Sequence, residues 1–87
     1  MFPNPEQVRT LDDLRGFLSA LERDAREPRS PRGAERNFWA AELFEGLNRW
    51  LDDWTRSHGD TLPGGHAVSD VPWDLVATMI LAGYMYE

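Results

Sequence analysis

His58 and His66 are the only histidines in the chain, and they stand eight residues apart with Asp60 and Asp70 close by in sequence. Imidazole and carboxylate are common metal ligands, but a closed site needs about four of them held in fixed geometry. The surrounding Gly-, Pro- and Ser-rich segment supplies nothing to hold them, so no metal and no cofactor is expected. Ser57, His58 and Asp60 contain the residue types of a catalytic triad. A triad, however, gathers an oriented His, a buried acid and an oxyanion hole, usually from separate elements. Near neighbours in one loop do not converge that way. The carboxylate pairs Asp12/Asp13 and Asp52/Asp53 would do acid–base chemistry only in a dry pocket that raised one pKa. Helical spacing leaves at least one member of each pair facing solvent. Gly64-Gly65 lacks the spacing, the following Lys-Ser/Thr and the preceding strand of a phosphate loop, and reads as a turn. No reaction centre emerges, and the chain is expected not to be an enzyme.

The residues that do stand out are aromatic. Four Trp, four Phe and two Tyr occur in 87 residues that contain no Cys. Each ring can remove about 150–250 Å² from water, enough for these side chains to take the place of staples in a small core. Trp50 and Trp73 fall on apolar stripes and are expected in the core. Trp54 lies near a helix end, and Tyr84 and Tyr86 lie in the last turn. Trp and Tyr are enriched where interfaces bind most strongly, so these three are the candidate contact residues. Glu45, Asp52 and Asp53 are expected as acidic anchors at the rim of the same surface.

Three helices are needed to position them. Thr10 is a suitable N-cap, and Asp12 and Asp13 occupy a first turn where the helix dipole favours negative charge. Leu11, Leu14, Phe17, Leu18, Leu21 and Ala25 then form one stripe, which predicts a helix over about 10–26. Gly16 within it is expected to permit a close contact. A polar connection follows, with four of the nine Arg (Arg26, Arg29, Arg32, Arg36) in or beside it. Asn37 is the expected cap of a second helix, about 37–57, with Ala40, Leu43, Leu47, Trp50 and Trp54 as its inward stripe. Phe44 and Leu51 widen that stripe, and Trp39 extends it. Glu45–Arg49, Arg49–Asp53 and Asp52–Arg56 are expected as ion pairs on the opposite side. Gly59 ends the helix. Residues 58–70 read as a loop, long enough to be a candidate binding loop. A third helix over about 71–86 has Pro72 in its first turn. It is apolar on almost every side from Trp73 to Tyr86, so its second face must meet either the rest of the chain or another molecule. A further turn near Pro5–Arg9 is compatible with the pattern. The expected fold is an all-α, single-domain bundle of about three helices.

Charge narrows the partners. The net charge is −6, and every basic residue is Arg. An acidic surface repels phosphate backbones, so nucleic acid is not expected, whereas a basic protein surface is compatible. The C-terminal apolar run is shorter than the ~20 residues a membrane span takes, and the N-terminus has no signal-peptide pattern. A cytoplasmic protein is expected.

The order of these residues resembles an uncharacterised family of small acidic bacterial proteins, a domain of unknown function. Its pattern has an Asn before a Phe-Leu-Glu-Ala-Leu helix with a later Trp and Asp, then a Pro-Ser-Trp start to an apolar helix ending in Tyr-Glu. Here Asn37 precedes Leu43-Phe44-Glu45-Gly46-Leu47, Trp50 and Asp53. Val71-Pro72-Trp73, Ala77, Leu81-Ala82 and Tyr86-Glu87 match the second part. Glu35, Gly46 and Val71 depart from the pattern, where the family carries Trp, Ala and Ser. The resemblance implies a helical fold and no known catalytic motif. The expected function is non-enzymatic: a module that binds a protein partner or a second copy of itself through the apolar C-terminal helix, as an inhibitor or immunity protein would. The alternative is a homodimer with a small-molecule pocket, lined by Trp and Met, at its interface.

Overall fold

The computed structural model describes residues 3–27 and 34–86, with side chains from Phe38 onward in the second stretch. The described chain is an all-α domain with one small hairpin. A 3-10 turn at Pro5–Gln7 leads into α1 (Leu11–Arg26), which is followed by α2 (Ala34–His58). A hairpin of β1 (Thr61–Leu62) and β2 (His66–Ala67), a second 3-10 turn at Val68–Asp70, and α3 (Trp73–Tyr86) complete it.

The helix ends follow local chemistry. Thr10 Oγ1 accepts a hydrogen bond from the Asp13 N–H at 3.1 Å, and the Asp13 carboxylate accepts one from the Arg9 N–H at 3.0 Å. Gly59 closes α2 with φ of +66° and donates its N–H to the Thr55 carbonyl, a left-handed exit that suits glycine. Pro72 stands just before α3, not inside its first turn, and its carbonyl accepts from the Val76 N–H. One boundary differs by a full turn from that expected. The second helix begins at Ala34, so Asn37 lies within it and not at its cap. Ala34, Glu35 and Arg36 are strong helix formers, and their propensity carries the helix back beyond the Asn. Arg29 and Arg32 of the basic connection lie outside the described residues.

Residues 58–70 are also more ordered in pattern than a loop. Thr61 pairs with Ala67 and Leu62 with His66, antiparallel, across a turn at Pro63-Gly64-Gly65. Gly64 and Gly65 have φ of +85° and +81°, and a Cβ on Gly64 would come within 3.2 Å of the His66 ring. Only glycine fits both demands there.

α1 is the centre of the molecule. Leu14, Phe17, Leu18, Leu21 and Ala25 are all buried, as the single stripe predicted. Both other helices pack on it, α2 along its length and α3 at a narrower contact; α3 also rests on the Pro5–Gln7 turn. Arg15–Asp52 (3.2 Å) and Arg26–Glu45 (3.0 Å) cross between α1 and α2 and show them to run antiparallel. Between these pairs Asn48 bridges the helices. Its amide donates to the Arg15 carbonyl and to Ser19 Oγ, both at 3.1 Å, and its Oδ1 accepts from Arg15 Nε at 3.0 Å. Replacing Asn48 with Leu removes all three bonds from a half-buried seam. A stability loss of about 1–3 kcal/mol is expected in urea unfolding; a loss below about 0.5 kcal/mol would mean that water substitutes for them. Gly16, by contrast, is exposed with no atom near its Cβ direction, and it makes no close contact.

The inward face of α2 is rotated from the expected one. Ala41, Phe44 and Leu51 are buried, with Asn48 in the same row, while Ala40 and Leu47 are half-buried. Leu43, Trp39 and Trp50 are exposed, Trp50 by 45%, so Trp50 is not the core residue its stripe suggested. Trp73, at 5%, is.

Candidate functional site

That rotation creates the most distinctive surface of the molecule. α2 and α3 both lean on α1 but have little direct contact with each other, so the space between them is open. Phe44 and Tyr84 bridge it edge to face, with ring centroids 5.4 Å apart. Two cavities lie along this groove and share Leu47 and Ile80. The smaller, about 330 Å³, is floored by Leu14 and Leu18 of α1, walled by Trp50, Trp73 and Val76, and roofed by Leu62, Pro63 and His66 of the hairpin. The larger, about 480 Å³, lies between Trp39 and Leu43 on α2 and Met79 and Gly83 on α3. Among the described residues, His66 is the only titratable side chain lining the smaller cavity, and Tyr84 the only one lining the larger. The outer face of α3 adds exposed Leu75, Met79, Met85 and Tyr86.

Each wall follows from sequence locally. On α2, Trp39, Leu43, Leu47, Trp50 and Trp54 step by four and three, so they form one row beside the buried row. Trp50, Trp54 and His58 stack along it, with centroids 5.5 Å and then 3.9 Å apart. Trp54 Nε1 donates to the Thr61 carbonyl at 2.7 Å, which ties the hairpin to the end of α2. Glu42 and Asp53 lie eleven residues apart, on the solvent flank of that row, and both are exposed.

No family model matches the chain, and comparison with curated proteins and with solved structures finds no match.

The expected contact residues divide into two groups. Tyr86 is 94% exposed at the end of α3, and Asp53 is exposed and makes no ion pair with a described residue. The other four are held within the domain. Tyr84 is half-buried and its hydroxyl donates to Asp24 Oδ2 at 2.8 Å. Trp54 sits between its two stacked neighbours and the hairpin carbonyl. Glu45 binds Arg26 and Arg49, and Asp52 binds Arg15 and Arg56. The pairs Glu45–Arg49 and Asp52–Arg56 are thus formed, whereas Arg49 turns to Glu45 and not to Asp53. Glu45 and Asp52 spend their charge on the α1–α2 seam. Arg26, hydrogen-bonded to Glu22 and next to Glu45 and Glu42, holds its proton more tightly than an ordinary Arg.

Trp39, Leu43, Trp50 and Met79 were not expected at the site. The signal was present in the width of the apolar surface of α2, which covers two adjacent rows where one contact needs a single row. Among the described residues no three His, Asp or Glu side chains gather at metal-binding distance. No described helix is long and apolar enough to cross a membrane.

Proposed function

We propose that this chain is a non-enzymatic protein-interaction module that docks a protein surface in the groove between α2 and α3 and along the outer face of α3. The observation that carries the reading is the exposure of Trp39, Leu43, Trp50 and Met79 around one open groove that no described Asp, Glu or Arg lines. Monomeric proteins rarely leave so much contiguous apolar surface in water. The residue types fit as well, since Trp, Tyr and Met are enriched at interface centres and Glu and Asp stay at the rim. Here Glu42 and Asp53 take the rim position expected of Glu45 and Asp52. An inhibitor or immunity protein would use such a surface to cover part of its target. A cytoplasmic bacterial setting belongs to the same proposal, supported by the sequence pattern and by the resemblance to small acidic bacterial proteins.

Affinity capture with the wild-type chain and with Leu43→Glu tests the reading. Leu43 is exposed, so the substitution changes the groove without removing core contacts. Proteins retained by the wild type should be lost with the variant; an identical retained set would sink the proposal.

One observation favours a second reading. A cavity of about 330 Å³ is at the lower end of small-molecule sites, and this one is walled by two indoles. It lies within one chain and contains no Met, so a ligand there would not require a dimer. The larger cavity, with Trp39 and Met79, has the Trp/Met lining expected of an interface pocket.

A further inference from the structure

We infer that the occupant of the groove is a second copy of this chain, arranged about a twofold axis so that the outer ridge of each α3 enters the groove of the other. The inference rests on reading the groove as a protein-docking surface, and it specifies which protein. A twofold interface must be complementary to itself, because the same patch serves both partners. This patch contains both halves of such a fit. The groove between α2 and α3 is concave and lacks a helix where a four-helix arrangement would place one. The ridge beside it, Leu75, Met79 and Tyr86 on α3, is convex, apolar and exposed. Seating each ridge in the other groove would surround the axis with two α2 and two α3 helices, a four-helix layered packing.

Electrostatics permits the approach despite the charge of −6 on each chain. Asp74 is the one charged residue in α3, at its first turn, so the ridge brings almost no charge towards the partner. Gly83 on the groove side has no atom within 4 Å of its Cβ direction, which leaves room for a close helix approach. The area is also sufficient. Trp39, Leu43, Trp50, Leu75, Met79 and Tyr86 are between 45% and 94% exposed. At about 150–250 Å² for a full aromatic side chain, the three rings alone offer roughly 300–500 Å² per copy, to which Leu43, Leu75 and Met79 add theirs. A stable specific interface uses about 800 Å² per partner.

The experiment is light-scattering mass on a size-exclusion column across a hundredfold dilution, for the wild type, Met79→Glu and Met79→Leu. Met79 is exposed and Glu is a good helix former, so circular dichroism should show all three folded. The wild type and Met79→Leu should run at twice the chain mass at high concentration. Met79→Glu should run as a monomer, with its dissociation constant raised at least tenfold. A wild type that stays monomeric at the highest concentration, or a Met79→Glu dimer as tight as the wild type, overturns the second copy as occupant. A monomeric wild type is then titrated with a labelled amphipathic helical peptide of Leu and Arg, read by anisotropy. Binding that Leu43→Glu abolishes would retain the groove as a site for a basic helix and reject self-association alone. No binding would reject both.

Discussion

Replacing Trp73 with Ala should lower the stability of the domain by about 3–5 kcal/mol, the largest single effect expected outside the α1 core. The indole is 5% exposed, and its Nε1 donates to the Val68 carbonyl at 2.9 Å. It therefore joins the start of α3 to the turn that follows the hairpin. It also walls the cavity of about 330 Å³, so its removal enlarges space that is already open instead of leaving a gap that neighbours can close. The cost of truncation rises with the cavity that remains. A small domain has roughly 5–10 kcal/mol in all, so much of the population would unfold at modest denaturant. Thermal unfolding should fall by about 15 °C or more. A decrease of only a few degrees would show that α3 is anchored elsewhere. Phe at the same position keeps most of the volume and loses the hydrogen bond, so it should recover most of the stability.

Tyr84 and Tyr86 should respond in opposite ways, although only two residues separate them. Tyr84→Ala removes a ring packed edge to face on Phe44 and a hydroxyl bonded to Asp24, from a position that joins all three helices. A loss of about 3 kcal/mol is expected, with about 1 kcal/mol of it reproduced by Tyr84→Phe. Tyr86→Ala acts on a ring that is almost wholly in water and should change stability by less than about 0.5 kcal/mol. Urea unfolding of the three variants, read by far-ultraviolet circular dichroism, checks this. Comparable losses for Tyr84→Ala and Tyr86→Ala would contradict the packing of α3. The pair also separates folding from docking: a defect in association belongs to the surface when Tyr86 causes it, and to the fold when Tyr84 does.

α1 could be read from its residues because it has one apolar row and one partner-facing side. Leu14, Phe17, Leu18, Leu21 and Ala25 are apolar, and the rest of the helix is mostly charged or small. α2 could be recognised as a helix, but its orientation could not. Its apolar residues fill two neighbouring rows, and periodicity alone does not say which row meets α1. The buried row includes Asn48, a polar residue that lowers its apolar character. That Asn is satisfied by Arg15 and Ser19 thirty residues away, a pairing no local pattern contains. The row with Trp39, Leu43 and Trp50 is more hydrophobic and yet faces the groove. The hairpin has no signature in the sequence beyond the glycines of its turn, because two-residue strands are too short to show alternation. Excess apolar surface on α3 was visible in composition. The groove itself depends on how far α2 and α3 stand apart on α1, a tertiary distance with no counterpart in sequence spacing.

The seating of α3 on the Pro5–Gln7 turn affects the order in which the protein is made. α1 and α2 are consecutive and antiparallel, and their seam needs nothing beyond His58. The apolar side of Val8, buried in the finished molecule, has to wait until the helix beginning at Trp73 has been synthesised. At about 5–20 residues per second that interval lasts several seconds. During it the nascent α1–α2 pair shows water, or a chaperone, the side of α1 that α3 will later cover. The contact between the Pro5–Gln7 turn and α3 is therefore among the last that the chain can close.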